Sequence, residues 1–244
     1  TICAAVVAEP ALSLVAAIDP GTVGVAIDAG EGEQVITSAD LDALLAADAQ
    51  VVIDFTVAAA ARVTVAWLAA HGIHAVIGTT GLGDDDIDAF RTAFTSSNAL
   101  MTSNFAISAV LMMRFAELAA PYFESAEIIE LHHDGKVDAP SGTAVTTAKR
   151  MATASSDWLP DRTQHEIYSG ARGGEGPAGI RIHSLRLRGV MAHQEVVLGA
   201  VGQSLTIRQD SYDNASYMPG IILACKKVGS FPGLTIGLDA YMDL

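Results

Sequence analysis

In the first hundred positions, short continuous apolar runs alternate with longer stretches of helical spacing. Residues 51–56 are a continuous run of the kind found in buried parallel strands, and residues 73–77 and 99–102 predict two further strands. Residues 12–19 form a further apolar run, predicted as a strand ending in the carboxylate of Asp19. Between these runs, the Ala-rich residues 57–71 predict a helix stopped by Gly72. A second helix is expected from Asp84 to about residue 96, because Asp84, Asp85 and Asp86 suit the positive end of a helix. This alternation predicts a parallel sheet covered by helices.

The pattern changes after Phe105. Residues 107–123 form a long apolar helix pattern, with Met112, Met113 and Phe115 read as core. A strand over residues 126–132 and a helix over 142–154 follow. Residues 155–179 are rich in Ser, Pro and Gly and read as a loop. Strand patterns at 180–187, 193–198 and 204–209 complete an α+β domain, the last two joined by a hairpin at 199–203. A helix over 217–228 and a strand over 234–238 close the chain and are expected to pack back on the first domain. The division is therefore residues 1–105 with 218–244 for one domain and 106–217 for the other.

Composition narrows the function. Half of the 244 residues are apolar and 17% are charged, as in a globular chain with a substantial core. The formal charge of -14 argues against a nucleic-acid partner. An anionic ligand would have to meet a local cluster of cations. No apolar run predicts a membrane span, and the opening residues carry no secretory pattern. Cys3 and Cys225 read as buried thiols in a reducing cytoplasm. Residues 1–9 look like a helix already under way.

The densest chemistry lies in Glu127-Ile-Ile-Glu-Leu-His-His-Asp-Gly-Lys-Val-Asp-Ala-Pro-Ser-Gly-Thr-Ala144. His132 and His133 are adjacent on a strand, so their rings are expected on opposite faces; one could donate a proton near neutral pH. A zinc site is disfavoured, because adjacent histidines do not converge on one point. Lys136 is a cation or a solvated loop residue. Ser141-Gly142-Thr143 opens a helix, either as an ordinary cap or as an anion site on exposed backbone N–H groups. Asp19 is either a turn former or an acceptor for ribose hydroxyls at a strand's carboxyl end. Gly78-Thr79-Thr80-Gly81 is either a turn and cap or a place where a flat ring lies against backbone while hydroxyls bond ribose or phosphate.

The block from Glu127 to Ala144 resembles the signature of the dihydrodipicolinate reductase family, E-x-x-E-x-H-H-x-x-K-x-D-A-P-S-G-T-A. Residues 51–56, 77–81, 103–105, 183–186 and 192–196 also resemble family segments. The resemblance implies a Rossmann-like dinucleotide-binding domain, a mixed-sheet α+β domain for substrate and assembly, and a cytoplasmic homotetramer. It implies hydride transfer from NADH or NADPH to a cyclic unsaturated dicarboxylate, 4-hydroxy-tetrahydrodipicolinate after loss of water, in diaminopimelate and lysine biosynthesis. Carried over by position, His132 is the general acid and Lys136 the second catalytic cation. His133, Gly142 and Thr143 contact substrate. Asp19, Gly78, Thr79, Thr80, Thr102, Ser103, Asn104 and Phe105 line the cofactor, and no metal is implied. Pro20 stands where some members carry an Arg suited to a 2'-phosphate, which points to NADH. The family's first strand and glycine-rich turn, about fifteen residues of a complete βαβ unit, are expected before Thr1 and do not occur in this sequence. Gln209 and Asn214 stand where relatives often carry basic residues. The competing reading is a non-catalytic relative that binds a metabolite or partner; another Rossmann-type dehydrogenase is disfavoured by the His-His-x-x-Lys block.

Overall fold

The computed structural model describes residues 1–242 and divides them into two compact units, Thr1–Phe105 with the segment from Tyr217, and Ala106–Ser216. The first unit opens with α1 (Ile2–Ala8). Strands β1 (Ala26–Gly30) and β2 (Glu33–Ile36) form an antiparallel hairpin. Its turn residues Glu31 and Gly32 both have positive φ, the conformation that matches strand twist in a two-residue turn. This hairpin is absent from the sequence reading, because its half-exposed residues carry only a weak alternation. Helix α2 (Asp42–Ala46) follows, then β3 (Val51–Asp54), α3 (Ala58–Ala70), β4 (His74–Ile77), α4 (Asp84–Ala93) and β5 (Ala99–Met101). Asp86 explains the start of α4: it accepts from the Gly83 backbone N–H at 2.9 Å and from Arg62 at 2.7 Å.

Residues 12–19, expected as a strand, are extended but unladdered. They make one parallel bridge, Ile18 to Ser38, held by Asp19 N donating to Ser38 O at 2.8 Å and Ser38 N to Ala17 O at 3.0 Å. An apolar run becomes a strand only with a backbone partner along its length, and this one meets its partner at a single point.

The second unit begins with α5 (Ile107–Ala119). Pro121 turns its expected extension to 123 into a 3₁₀ turn, Ala120–Tyr122. Next come β6 (Ser125–His132), α6 (Gly142–Ala154), β7 (Gly174–Glu175), β8 (Arg181–Arg186), β9 (Ala192–Ala200) and β10 (Gln203–Ser211). They form a five-stranded sheet in the order β10-β9-β6-β8-β7, in which only β6 and β8 run parallel. Helix α5 packs on β10 and α6, and α6 packs on β6. Under them lie Ala126, Ile128, Glu130, Ile182, Val196 and Leu198, all buried. The opposite face, with Glu127, Ile129, Glu195 and Val197, is only half-buried. Glu130 is thus a carboxylate on the apolar side of a sheet, fully buried.

The chain re-enters the first unit at Tyr217 and adds α7 (Met218–Lys227) and β11 (Leu234–Ile236). The second sheet then reads β11-β5-β4-β3, all parallel. Ala75, Val76 and Ile77 in β4 are consecutive and all completely buried, as in a strand covered on both faces.

Candidate active site

Strand β6 sets the second unit's site. Residues two apart on a strand share a face, so Glu130 and His132 point the same way. His132 Nδ1 lies 2.5 Å from Glu130 Oε2. Across the parallel pairing, His132 is opposite Arg186. Arg186 grips Glu130 with both terminal nitrogens, at 2.9 Å to each carboxylate oxygen. The backbone N–H of Ser141 donates to Glu130 Oε1 at 3.2 Å. Burial alone would raise the Glu130 pKa, but hydrogen bonds from His132, Arg186 and Ser184 outweigh it and bring it down to about 2. Among the described residues no protein group bonds His132 Nε2, and the side chain remains 18% exposed.

The loop after β6 carries the other candidates. Its turn closes with Lys136 N donating to His133 O at 3.2 Å. Lys136 Nζ donates to Asp138 Oδ1 at 2.6 Å, which holds the Asp138 pKa below its ordinary value. An ammonium has three donors, so this pair leaves capacity for a ligand. The Asp138 carbonyl accepts from Arg186 at 2.7 Å, so the lysine loop is tied to the same guanidinium that grips Glu130. Ser141 caps α6 through Ala144 N at 3.2 Å. Gly142 is exposed, and beyond its chain neighbours and its own helix backbone nothing described lies within 4 Å of where its Cβ would be. Thr143 follows in the first turn of α6. His133 is exposed beyond the strand, its backbone N–H held by Met191 O at 3.2 Å and its ring beside Gly135.

Glu130, Arg186 and Asp138 are the participants that sequence reasoning left without a role. Glu130 stands in the dense block, but its main partner lies 56 residues on. The visible signal is a carboxylate at an inward strand position, two residues before a histidine.

In the first unit, the register aligns Asp54, Ile77 and Met101 at one end of three parallel strands. Gly78, Thr79, Thr80 and residues 102–105 therefore emerge at one sheet edge. The geometry reassigns two of the expected contacts there. The Thr79 hydroxyl is buried and donates to Asp54 Oδ1 at 2.6 Å, so it is committed inward and not offered to ribose or phosphate. Thr56 also serves Asp54, through Oγ1 at 2.8 Å and N at 3.1 Å. Gly78 does have a flat ring against its backbone, but the ring is that of Phe55: a Cβ there would lie 2.3 Å from Phe55 Cζ. Phe55 also packs on Phe105, ring centres 5.3 Å apart, and stays 41% exposed. Thr102 Oγ1 bonds the Asn104 backbone at 3.1 and 3.3 Å, while Ser103 and Thr80 are exposed.

Asp19 is both turn former and exposed carboxylate. It accepts from Gly21 N at 2.8 Å and Thr22 Oγ1 at 2.7 Å. The Thr22 bond, then the Gly21 bond, lowers its pKa and keeps it ionised. Its hydrogen bonds are with its own turn and Ser38; among the described residues none joins it to the edge carrying Gly78. A nicotinamide dinucleotide fits this chemistry: the ionised, exposed Asp19 suits ribose hydroxyls, and the exposed Phe55 ring that covers Gly78 offers a flat apolar support.

Comparison with known proteins agrees along the chain. Residues 1–105 match the family described as dihydrodipicolinate reductase, N-terminus, and residues 108–242 match dihydrodipicolinate reductase, C-terminus. A 4-hydroxy-tetrahydrodipicolinate reductase of Corynebacterium aurimucosum is 44% identical over 92% of this chain and 96% of its own. One of Nocardia farcinica is 45% identical over 100% of this chain and 93% of its own. Among solved structures, dipicolinate-bound dihydrodipicolinate reductase from Paenisporosarcina sp. TG-14 is similar with a TM-score of 0.85 and 34% identity, covering 98% of this chain and 93% of that one.

Proposed function

The chain belongs to the dihydrodipicolinate reductase family, and from that premise we propose that it reduces 4-hydroxy-tetrahydrodipicolinate to tetrahydrodipicolinate in diaminopimelate and lysine biosynthesis. NADH or NADPH supplies the hydride. The observation that carries the reading is His132, Lys136 and the α6 start tied to one buried carboxylate and its guanidinium.

The substrate is a dianion and the protein is strongly acidic, so local cations must hold it. Lys136 holds one carboxylate while Gly142 and Thr143 offer backbone and hydroxyl donors. His133, exposed at the strand end, adds a contact. Hydride arrival leaves negative charge on the conjugated ring, which His132 discharges by giving a proton from Nε2. Lys136 stabilises that charge before the proton arrives. On the first unit, Asp19 holds the adenosine ribose, and Gly78, Thr79, Thr80 and residues 102–105 form the nicotinamide side, Thr79 through shape and not through its hydroxyl. Asp19 followed by Pro20 repels a 2'-phosphate, which favours NADH over NADPH.

The family's assembly suggests a homotetramer, for which the half-buried sheet face of Ile129, Glu195 and Val197 is the natural surface. Light scattering would give its mass. No described helix is long and apolar enough to cross a membrane. The free thiols Cys3 and Cys225 suit the reducing cytoplasm in which we place the protein.

The test is oxidation of NADH and NADPH in parallel with enzymatically generated 4-hydroxy-tetrahydrodipicolinate. Substrate-dependent oxidation with the higher kcat/KM for NADH is expected. Binding of dipicolinate and NADH without turnover would instead support a non-catalytic relative.

A further inference from the structure

Glu130 is the most buried ionisable group at the site, and the proton transfer above does not use it. Its surroundings donate to it, the rotatable Ser184 hydroxyl included. Oε1 receives Arg186 Nη2 at 2.9 Å and Ser141 N at 3.2 Å; Oε2 receives Arg186 Nη1 at 2.9 Å and faces His132 Nδ1 at 2.5 Å. A carboxylate in this place is acceptor-only, so the imidazole nitrogen facing it must carry a proton. That leaves the other nitrogen, Nε2, as the one that loses and regains a proton. We infer that Glu130 is a positioning residue that fixes His132 as its Nδ1–H tautomer, directs Nε2 to the substrate, and through Arg186 and Ser141 keeps the Lys136 loop and the α6 start in register with it. This rests on the reductase reading for its catalytic meaning, but the tautomer is a property of the protein alone.

The geometry sets the outcome for Glu130→Gln, which keeps the shape. A glutamine must turn its NH₂ toward one side of the old carboxylate. The Oε1 side presents two obligate donors, Arg186 Nη2 and Ser141 N. The Oε2 side presents one obligate donor, Arg186 Nη1, and an imidazole that can change tautomer. The NH₂ therefore faces His132, Nδ1 becomes the acceptor, and the neutral ring carries its proton on Nε2. Protonating that ring then breaks the bond to the amide, which disfavours the acid form that donates.

The decisive measurement is ¹⁵N NMR of the histidine side chains, with His132 assigned by its loss in His132→Gln. The neutral wild-type ring is expected as Nδ1–H and the Glu130→Gln ring as Nε2–H. In the same variant kcat should fall on the order of 10²-fold or more, the scale of lost acid–base catalysis, with substrate KM within about threefold because the amide oxygen keeps the Arg186 Nη2 and Ser141 N bonds that hold the substrate-carboxylate groups in place. The alkaline limb of the pH–rate profile should move to lower pH. A merely structural Glu130 would change the melting temperature and KM but leave the tautomer alone. A wild-type ring with its neutral proton on Nε2 overturns the inference even if the variant does not fold. An unchanged tautomer or wild-type kcat in a folded variant overturns it too. Absence of reductase activity in the wild type, with the Nδ1–H tautomer present, would sink the functional reading and leave the assigned ring state standing.

Discussion

The two edges that carry the chemistry are built in opposite ways. At the end of β6, polar groups are gathered so that one side of each is tied down and the other remains usable: His132 through Nδ1, Lys136 through one of three donors. At the carboxyl edge of the parallel sheet, the polar groups bond mainly to one another, all through Asp54 Oδ1, while Asp54 Oδ2 is buried without a partner among the described residues. Asp54, Thr56 and Thr79 close an inward knot, and what faces outward is a phenyl ring over a glycine. The contrast follows from what each edge must hold. A small dianion needs fixed charges and a proton donor; a cofactor ring needs a flat apolar support.

The largest effect should come from removing the usable groups of the first kind. His132→Ala and Lys136→Ala should each lower kcat by about 10²–10⁴-fold, the range for a lost acid–base group. The fold should survive both. Without His132, Glu130 keeps Arg186 and Ser141, and Lys136 lies on a loop paired with an exposed Asp138. Steady-state rates and circular dichroism check this. Wild-type turnover in either variant would erase the distinction between the edges.

That distinction was partly legible in the sequence. His132, Lys136 and Ser-Gly-Thr stand within a dozen residues, and a strand followed by a helix start brings such residues near each other by local geometry. Glu130 and Arg186 were not legible as a pair, because only the parallel pairing of β6 with β8 makes them neighbours. The first unit was readable in its strands, whose continuous apolar runs announce burial on both faces. Its side-chain roles were not: whether the Thr79 hydroxyl points to a ligand or to Asp54 depends on the register of β3 with β4. The hairpin of β1 and β2 was missed because half-exposed strands leave little apolar period.

Acid should separate the units next. The folded Glu130 pKa is depressed to about 2 from an ordinary 4.5. A depressed carboxylate stabilises the fold fully above its unfolded value and loses that contribution as pH falls through the folded one. The window is therefore pH 4.5 down to about 2, and the contribution is on the order of 3 kcal/mol. Trp158 reports the second unit and Trp67 the first, so single-tryptophan variants can follow each in urea at pH 7 and pH 3. The second unit should lose more, and Glu130→Gln should flatten that loss. Equal acid sensitivity of wild type and Glu130→Gln would show that the buried carboxylate is not its source.

A smaller effect is expected at the aromatic cradle. Gly78→Ala places a Cβ 2.3 Å from the Phe55 ring. The ring is exposed enough to swing away, so the cost should be about 1–3 kcal/mol, as for overpacking. The double variant Gly78→Ala/Phe55→Ala should recover most of the loss in melting temperature, since the clash is gone. NADH binding, followed by nicotinamide fluorescence, should weaken in the single variant while His132 keeps its tautomer. Failure of the double variant to recover would place the strain in the backbone and not in the ring.

The smallest effect sharpens the same comparison within two neighbouring residues. Thr79→Val keeps the volume but removes the hydroxyl that donates to Asp54 Oδ1 and accepts from Thr56 N at 2.8 Å. Asp54 Oδ1 and Thr56 N each lose one bond but keep each other, so the cost should be about 0.5–1.5 kcal/mol. Thr80→Val removes an exposed hydroxyl and should stay within about 0.5 kcal/mol. If Thr79 acts through shape, its variant should lose stability while the Kd for NADH shifts little once the protein is kept folded. A hydroxyl that served the ligand directly would give the reverse, a stable protein with weakened binding. The two threonines thus test, side by side, whether this edge spends its polar groups inward.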